Sequence, residues 1–201
     1  MPQKGMKVMM RKRLRGKILS ILLAAALLLT VALPPVTVWA ADGDLAVTGT
    51  AGGYTYDSGS GVLLFTQNGS YTVSMAPNVS VTTASSIAVA SGVTADITLN
   101  GVKIDRSSAG GSAFELEETA KVTLTLASGT VNSLTGGKGS VGIGSAGLRV
   151  PEGAELTIGG TGELTATGGD SGAGIGGDWK GFSSDCGTIT ITSGIITAKG
   201  G

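Results

Sequence analysis

Three aspartates, Asp170, Asp178 and Asp185, bracket a glycine-rich segment, and the last two enclose most of the string DWKGFSSDC from Asp178 to Cys186. Joined by backbone carbonyls, such carboxylates would hold a calcium ion, which takes about six to eight oxygen ligands. The spacing follows no calcium loop, and three solvated loop acids are the plain alternative. The same string offers a second chemistry. Trp179 and Phe182 would stack on sugar rings while Lys180, Asp178 and Asp185 hydrogen-bond the hydroxyls, the division of labour of shallow carbohydrate sites. Trp179 is the only tryptophan beyond residue 39. Against that stands the simpler packing of both rings onto the protein itself.

Catalytic chemistry finds less support. The chain has no histidine, so a Ser-His-Asp triad, a Cys-His dyad and histidine zinc sites are all excluded. Cys186 stands without an imidazole to ionise it, and reads as a partly buried small residue at a chain corner. The string GAGIGGDWKG from Gly172 to Gly181 lacks the Gly-Lys-Ser/Thr ending of a phosphate loop. Fourteen carboxylates are enough in number for acid–base work on a glycosidic bond, but none forms a recognisable pair. Glu115 and Glu117 share one strand face and call for exposure or a shared cation such as Lys121. Lys103, Arg106 and Lys121 could act as bases in β-elimination on acidic sugars, yet nothing assembles that site. No catalytic residue is assigned.

These candidates must be carried by an exported chain. Lys4, Lys7, Arg11, Lys12, Arg13, Arg15 and Lys17 precede an apolar run from Ile18 to Leu33, followed by Pro34-Pro35 and by Val38-Trp39-Ala40. That order is a secretory signal over 1–40, and the run is shorter than the ~20 residues that span a bilayer. Its removal takes away seven cations and no carboxylate, so a formally neutral chain becomes −7. A surface of that sign disfavours nucleic acid and suits neutral polysaccharide or divalent cations. A single cysteine allows no internal disulfide, so stability must come from packing.

The positioning elements are strands. Ile97/Leu99, Val122/Leu124/Leu126 and Leu156/Ile158 alternate with Thr, Asp, Lys or Glu, and Gly, Ser and Thr interrupt every helical window. SVGIG at Ser140 to Gly144 returns as GAGIG at Gly172 to Gly176, and TGG, TGG and KGG at 135–137, 167–169 and 199–201 keep the same step of 32. A fixed period of that size, with three short strands per unit, predicts an all-β parallel β-helix in which the repeated glycines turn corners. The expected organisation is a signal over 1–40, an N-terminal cap and lead-in coil over 41–78, and β-helix coils over 79–201. Tyr54, Tyr56, Phe65 and Tyr71 would close the first coil, and a β-sandwich over Asp42 to Asn100 stays open. The ending on Gly200-Gly201 predicts further repeats or an anchoring module beyond.

GVTADITLNGVKID, GLRVPEGAELTI, GTGELTATGGDSGAGIGG and GTITITSGIITAKGG together resemble the repeat region of secreted and cell-surface carbohydrate-binding domain-containing proteins of clostridia and related Gram-positive bacteria. The resemblance covers about Gly43 to Gly201. It implies a right-handed parallel β-helix, a surface location, polysaccharide or cell-wall glycan as partner, and calcium in the coils, with no catalytic set. The function expected is a non-catalytic carbohydrate-binding module. The alternatives are a structural or adhesive stalk and a polysaccharide lyase-like enzyme.

Overall fold

The computed structural model describes residues 40–138, 144–178 and 186–201, all within one compact unit, Val38–Gly201. Seventeen strands and no helix occur among them. The signal expected over 1–40 lies almost wholly outside the described residues.

The strands begin with β1 (Ala40–Asp42), β2 (Leu45–Gly49) and β3 (Tyr54–Asp57), which pair antiparallel with their neighbours. Next come β4 (Val62–Phe65) and β5 (Gly69–Met75), then four passes of three: β6 (Ser86–Val89), β7 (Thr94–Asn100), β8 (Lys103–Asp105); β9 (Phe114–Leu116), β10 (Lys121–Leu126), β11 (Val131–Thr135); β12 (Leu148–Arg149), β13 (Glu155–Gly160), β14 (Glu163–Thr167); β15 (Ile175–Gly176), β16 (Thr188–Ile191), β17 (Ile195–Lys199). Each pass adds one strand to each of three sheets, ordered β15-β12-β9-β6-β4-β3, β1-β2-β5-β7-β10-β13-β16 and β17-β14-β11-β8. From β4 and β5 onward every pairing between these strands across passes is parallel. The chain is therefore a β-solenoid of about four turns, as the strand periodicity predicts, and the parallel pairing of β5 with β7 leaves no sandwich over Asp42 to Asn100.

The core is a set of aliphatic columns. Leu63, Ile87, Phe114 and Leu148 stack in register on the first sheet, Tyr71, Ile97, Leu124 and Ile158 on the second, and Ile104, Leu134 and Ala166 on the third. All are at most 2 % exposed. At the cap end Phe65 and Tyr71 pack with ring centroids 4.5 Å apart, and Tyr54 meets Phe65 edge-on at 6.1 Å. In the last pass Ile189 and Ile196 are only partly buried, whereas their partners Leu156 and Leu164 are buried.

The turn from first to second sheet is the same in three passes. Val93, Ala120 and Ala154 each donate N–H to the carbonyl three residues back, on Ala90, Glu117 and Pro151. The third turn position is Gly92, Thr119 or Gly153, with φ of 74°, 66° and 81°. Two of the three are the glycine that a left-handed conformation favours, and Thr119 occupies it as a β-branched residue.

Two features of the repeat differ from the sequence-based expectation. The 32-residue step holds on the third sheet, where Leu134 stacks on Ala166 and Ala166 on Ala198. On the first sheet the step between β12 and β15 is 27, because Leu148 pairs with Ile175. The corner between β14 and β15 is shorter than its predecessor between β11 and β12, while the connection from β15 to β16 is longer than that from β12 to β13. The lengths offset each other, so the second-sheet step returns to 33, from Leu156 to Ile189. Of SVGIG only Gly144 is described, and it lies against the backbone of Asp170 and Gly172; Ser140 to Ile143 fall outside the described residues.

Candidate functional site

The sequence candidates divide among three places. Trp179, Lys180, Phe182 and Asp185 lie outside the described residues. Asp178 belongs to a polar network on the first sheet. Asp170 lines a cleft at the glycine corner.

The network is built on β12, whose two residues alternate Leu148 inward and Arg149 outward. Parallel register sets Arg149 beside Glu115 of β9, and the two form an ion pair. Arg149 Nε lies 3.0 Å from Asp178 Oδ2. Asp178 Oδ1 accepts the N–H of Ala146 at 2.8 Å and is approached by the Ser112 hydroxyl at 3.5 Å. Both carboxylate oxygens are thus committed to protein donors, and the side chain is only 16 % exposed. Asp178 is placed as a clamp between passes rather than as a free acceptor of sugar hydroxyls. The cation serving Glu115 is Arg149; Lys121 instead pairs with Glu155 at 2.8 Å on an exposed surface. Glu117 accepts the Ser91 N–H at 3.0 Å. Arg106 is spent on backbone, donating from Nε to Gly110 O and from a terminal nitrogen to Thr83 O and Ala84 O.

The cleft, of about 370 Å³, is lined by Ser107, Thr135, Gly136, Lys138, Gly168, Gly169, Asp170 and Gly201. It sits where the chain leaves the third sheet, at the repeated Gly-Gly pairs. None of Gly136, Gly137, Gly168 and Gly169 has positive φ. They are glycine because successive passes approach too closely for a side chain: a Cβ on Gly169 would fall on the carbonyl oxygen of Gly137, and one on Gly136 on that of Ser145. The cleft floor is therefore bare backbone. Its amides are already used, Gly136 donating to Thr167 O, Gly168 to Lys199 O and Gly169 to Ser145 O, at 2.8–2.9 Å. Lys138 and Asp170 follow the Gly-Gly pairs of successive passes and are exposed. Among the described residues neither side chain has a hydrogen-bonding or ionic partner.

The outer face of the second sheet is a flat polar array. In register run Ser70, Asp96, Thr123, Thr157 and Thr190, flanked by Thr94, Lys121, Glu155 and Thr188 on one side and Thr72, Thr98, Thr125 and Gly159 on the other. Adjacent members of a column repeat at the strand spacing of about 4.8 Å.

Two further residues stand apart, the first of them against the sequence reading. Cys186 is exposed, not partly buried, in an isolated bridge with Pro151. Asn132, rather than the apolar Val131 beside it, points inward on β11 and is 0 % exposed while Val131 is 50 % exposed. Asn132 Oδ1 accepts the Val102 N–H at 2.8 Å and Nδ2 donates to Glu163 O at 3.1 Å and Thr130 Oγ1 at 3.3 Å. The strict alternation of β11 with Leu134 was the signal that could have found it.

No three Cys, Asp or Glu side chains gather into a metal-binding group among the described residues, and no helix there is long and apolar enough to cross a membrane. Compared with family models, curated proteins and solved structures, the chain matches none.

Proposed function

We propose that this chain is an exported, non-catalytic module that binds polysaccharide along its solenoid surface. The observation that carries the reading is the second-sheet array, in which hydroxyls of Ser70, Thr123, Thr157 and Thr190 recur in line across five strands with no apolar side chain among them. A flat, periodic set of donors and acceptors suits an extended polymer that repeats its own hydroxyls, and suits a compact metabolite poorly. The chain's lack of histidine and its charge of −7 beyond residue 40 favour a neutral glycan over chemistry or nucleic acid. Export rests on the N-terminal sequence pattern, and a surface location and calcium on the resemblance alone.

The test is a pull-down of the folded chain with insoluble cellulose, pectin and peptidoglycan. Retention on at least one of them is expected. A chain folded by circular dichroism that stays in the supernatant with all three sinks the reading.

A structural or adhesive stalk is the second reading. It is supported by the uninterrupted parallel ladders and by cross-pass clamps such as Arg149–Glu115 and Lys121–Glu155, which stiffen a rod. It predicts no glycan retention together with strong resistance to forced unfolding in single-molecule pulling.

A further inference from the structure

We infer that the glycine-floored cleft between Lys138 and Asp170 is a subsite for one neutral glycosyl unit, an assignment that rests on the carbohydrate-binding reading above. The cleft's volume of about 370 Å³ falls in the range of small-ligand sites. Gly136, Gly168 and Gly169 leave its floor without side chains, so a ligand can lie directly on the backbone.

The amides of that floor offer no cradle for an anion. A phosphate or carboxylate cradle needs free N–H groups turned toward the ligand, and those of Gly136, Gly168 and Gly169 all donate to carbonyls of neighbouring passes. Recognition falls to the side chains at the rim. Asp170 accepts hydrogen bonds only and Lys138 donates only, while the Thr135 hydroxyl does both and that of Ser107, which donates to Asp105, is left to accept. A sugar hydroxyl needs one donor and one acceptor partner, which this pair supplies with no net charge. Among the described residues neither Lys138 nor Asp170 has a side-chain partner that a ligand would have to displace.

The experiment is isothermal titration of the full chain with neutral cello-, xylo- and N-acetylchito-oligosaccharides, beside an oligogalacturonate. Asp170→Asn and Lys138→Met are each expected to weaken neutral binding about tenfold, the loss of one charge-assisted hydrogen bond. Both positions are exposed, so the thermal midpoint should move by no more than about 2 °C. Wild-type binding that both variants retain overturns the subsite and leaves the carbohydrate-binding reading intact. Tighter binding of oligogalacturonate than of any neutral oligomer overturns the neutral unit. A wild-type chain that binds no oligosaccharide but is retained on an insoluble polymer overturns the subsite alone; one that does neither removes the reading and the subsite together.

Discussion

Arg149 Nε lies 3.0 Å from Asp178 Oδ2, and this contact ties the third pass of the solenoid to the start of the connection that follows β15. The same guanidinium reaches back one pass to Glu115, so one cation holds three consecutive passes on the first sheet. At 18 % exposure it is far better shielded than Lys121, whose side chain is 55 % exposed. Removing Arg149 leaves two carboxylates facing each other with water only partly admitted. Arg149→Ala should cost about 2–4 kcal/mol in urea unfolding, and Lys121→Ala less than about 1 kcal/mol. Equal costs would show that burial does not set the strength of these pairs.

Asn132 makes three hydrogen bonds from a fully buried position. Asn132→Leu restores the apolar column of β11 but strands the Val102 N–H and the Glu163 carbonyl. A loss of about 1–3 kcal/mol is expected despite the gain in hydrophobicity. A leucine variant as stable as the parent would mean that water reaches those groups.

A Cβ on Gly169 would fall on the carbonyl of Gly137 in the preceding pass, whereas one on Gly200 would meet only Gly172 O, at 3.7 Å. Gly169→Ala should destabilise by about 1–3 kcal/mol, as overpacking does, and Gly200→Ala should stay within about 0.5 kcal/mol of the parent. Thermal melts of the two variants side by side provide the check.

Thr119 sits at φ 66° in a turn whose counterparts are Gly92 and Gly153. Left-handed backbone costs a β-branched residue about 1–2 kcal/mol, offset in part by its 3.0 Å contact with the Ser91 hydroxyl. Thr119→Gly is therefore expected to raise stability by up to about 1 kcal/mol even after the added chain entropy of glycine. Gly153→Thr should do the reverse.

The hydroxyl and then the N–H of Ser107 favour the ionised form of Asp105 and hold its pKa below 3.8, burial opposing them weakly. A pKa lowered by folding contributes stability that is present above the unfolded value and disappears as pH falls through the folded one. The stability gap between the parent and Asp105→Asn should thus be widest near neutrality and shrink on acidification below pH 3.8. A gap that grows in acid would reverse the assigned sign.

Legibility from sequence followed periodicity. TADITLN of β7 and KVTLTL of β10 alternate outward and inward at every described position, because a strand's side chains alternate whatever else surrounds it. The same rule turns Asn132 of β11 inward with Leu134, although Val131 beside it is the more hydrophobic. Hydropathy misled there because the buried backbone groups of Val102 and Glu163 need a polar partner that only the neighbouring passes reveal.

By itself the sequence determined an all-β solenoid with three strands per pass and glycine corners, since period two and a repeat near 32 are both local properties of the chain. Tertiary structure alone decided the register. Sequence spacing equates Ile143 with Ile175, but unequal corners set Ile175 on Leu148 and bring Gly144 against Asp170. It also decided which acids are engaged: Asp178 is consumed by Arg149 and Ala146, while Asp170 lines a cleft together with Lys138 and has no side-chain partner among the described residues. A carboxylate's availability depends on the donors that stacking brings within reach, and for Asp178 those come from 32 and 66 residues away in the chain.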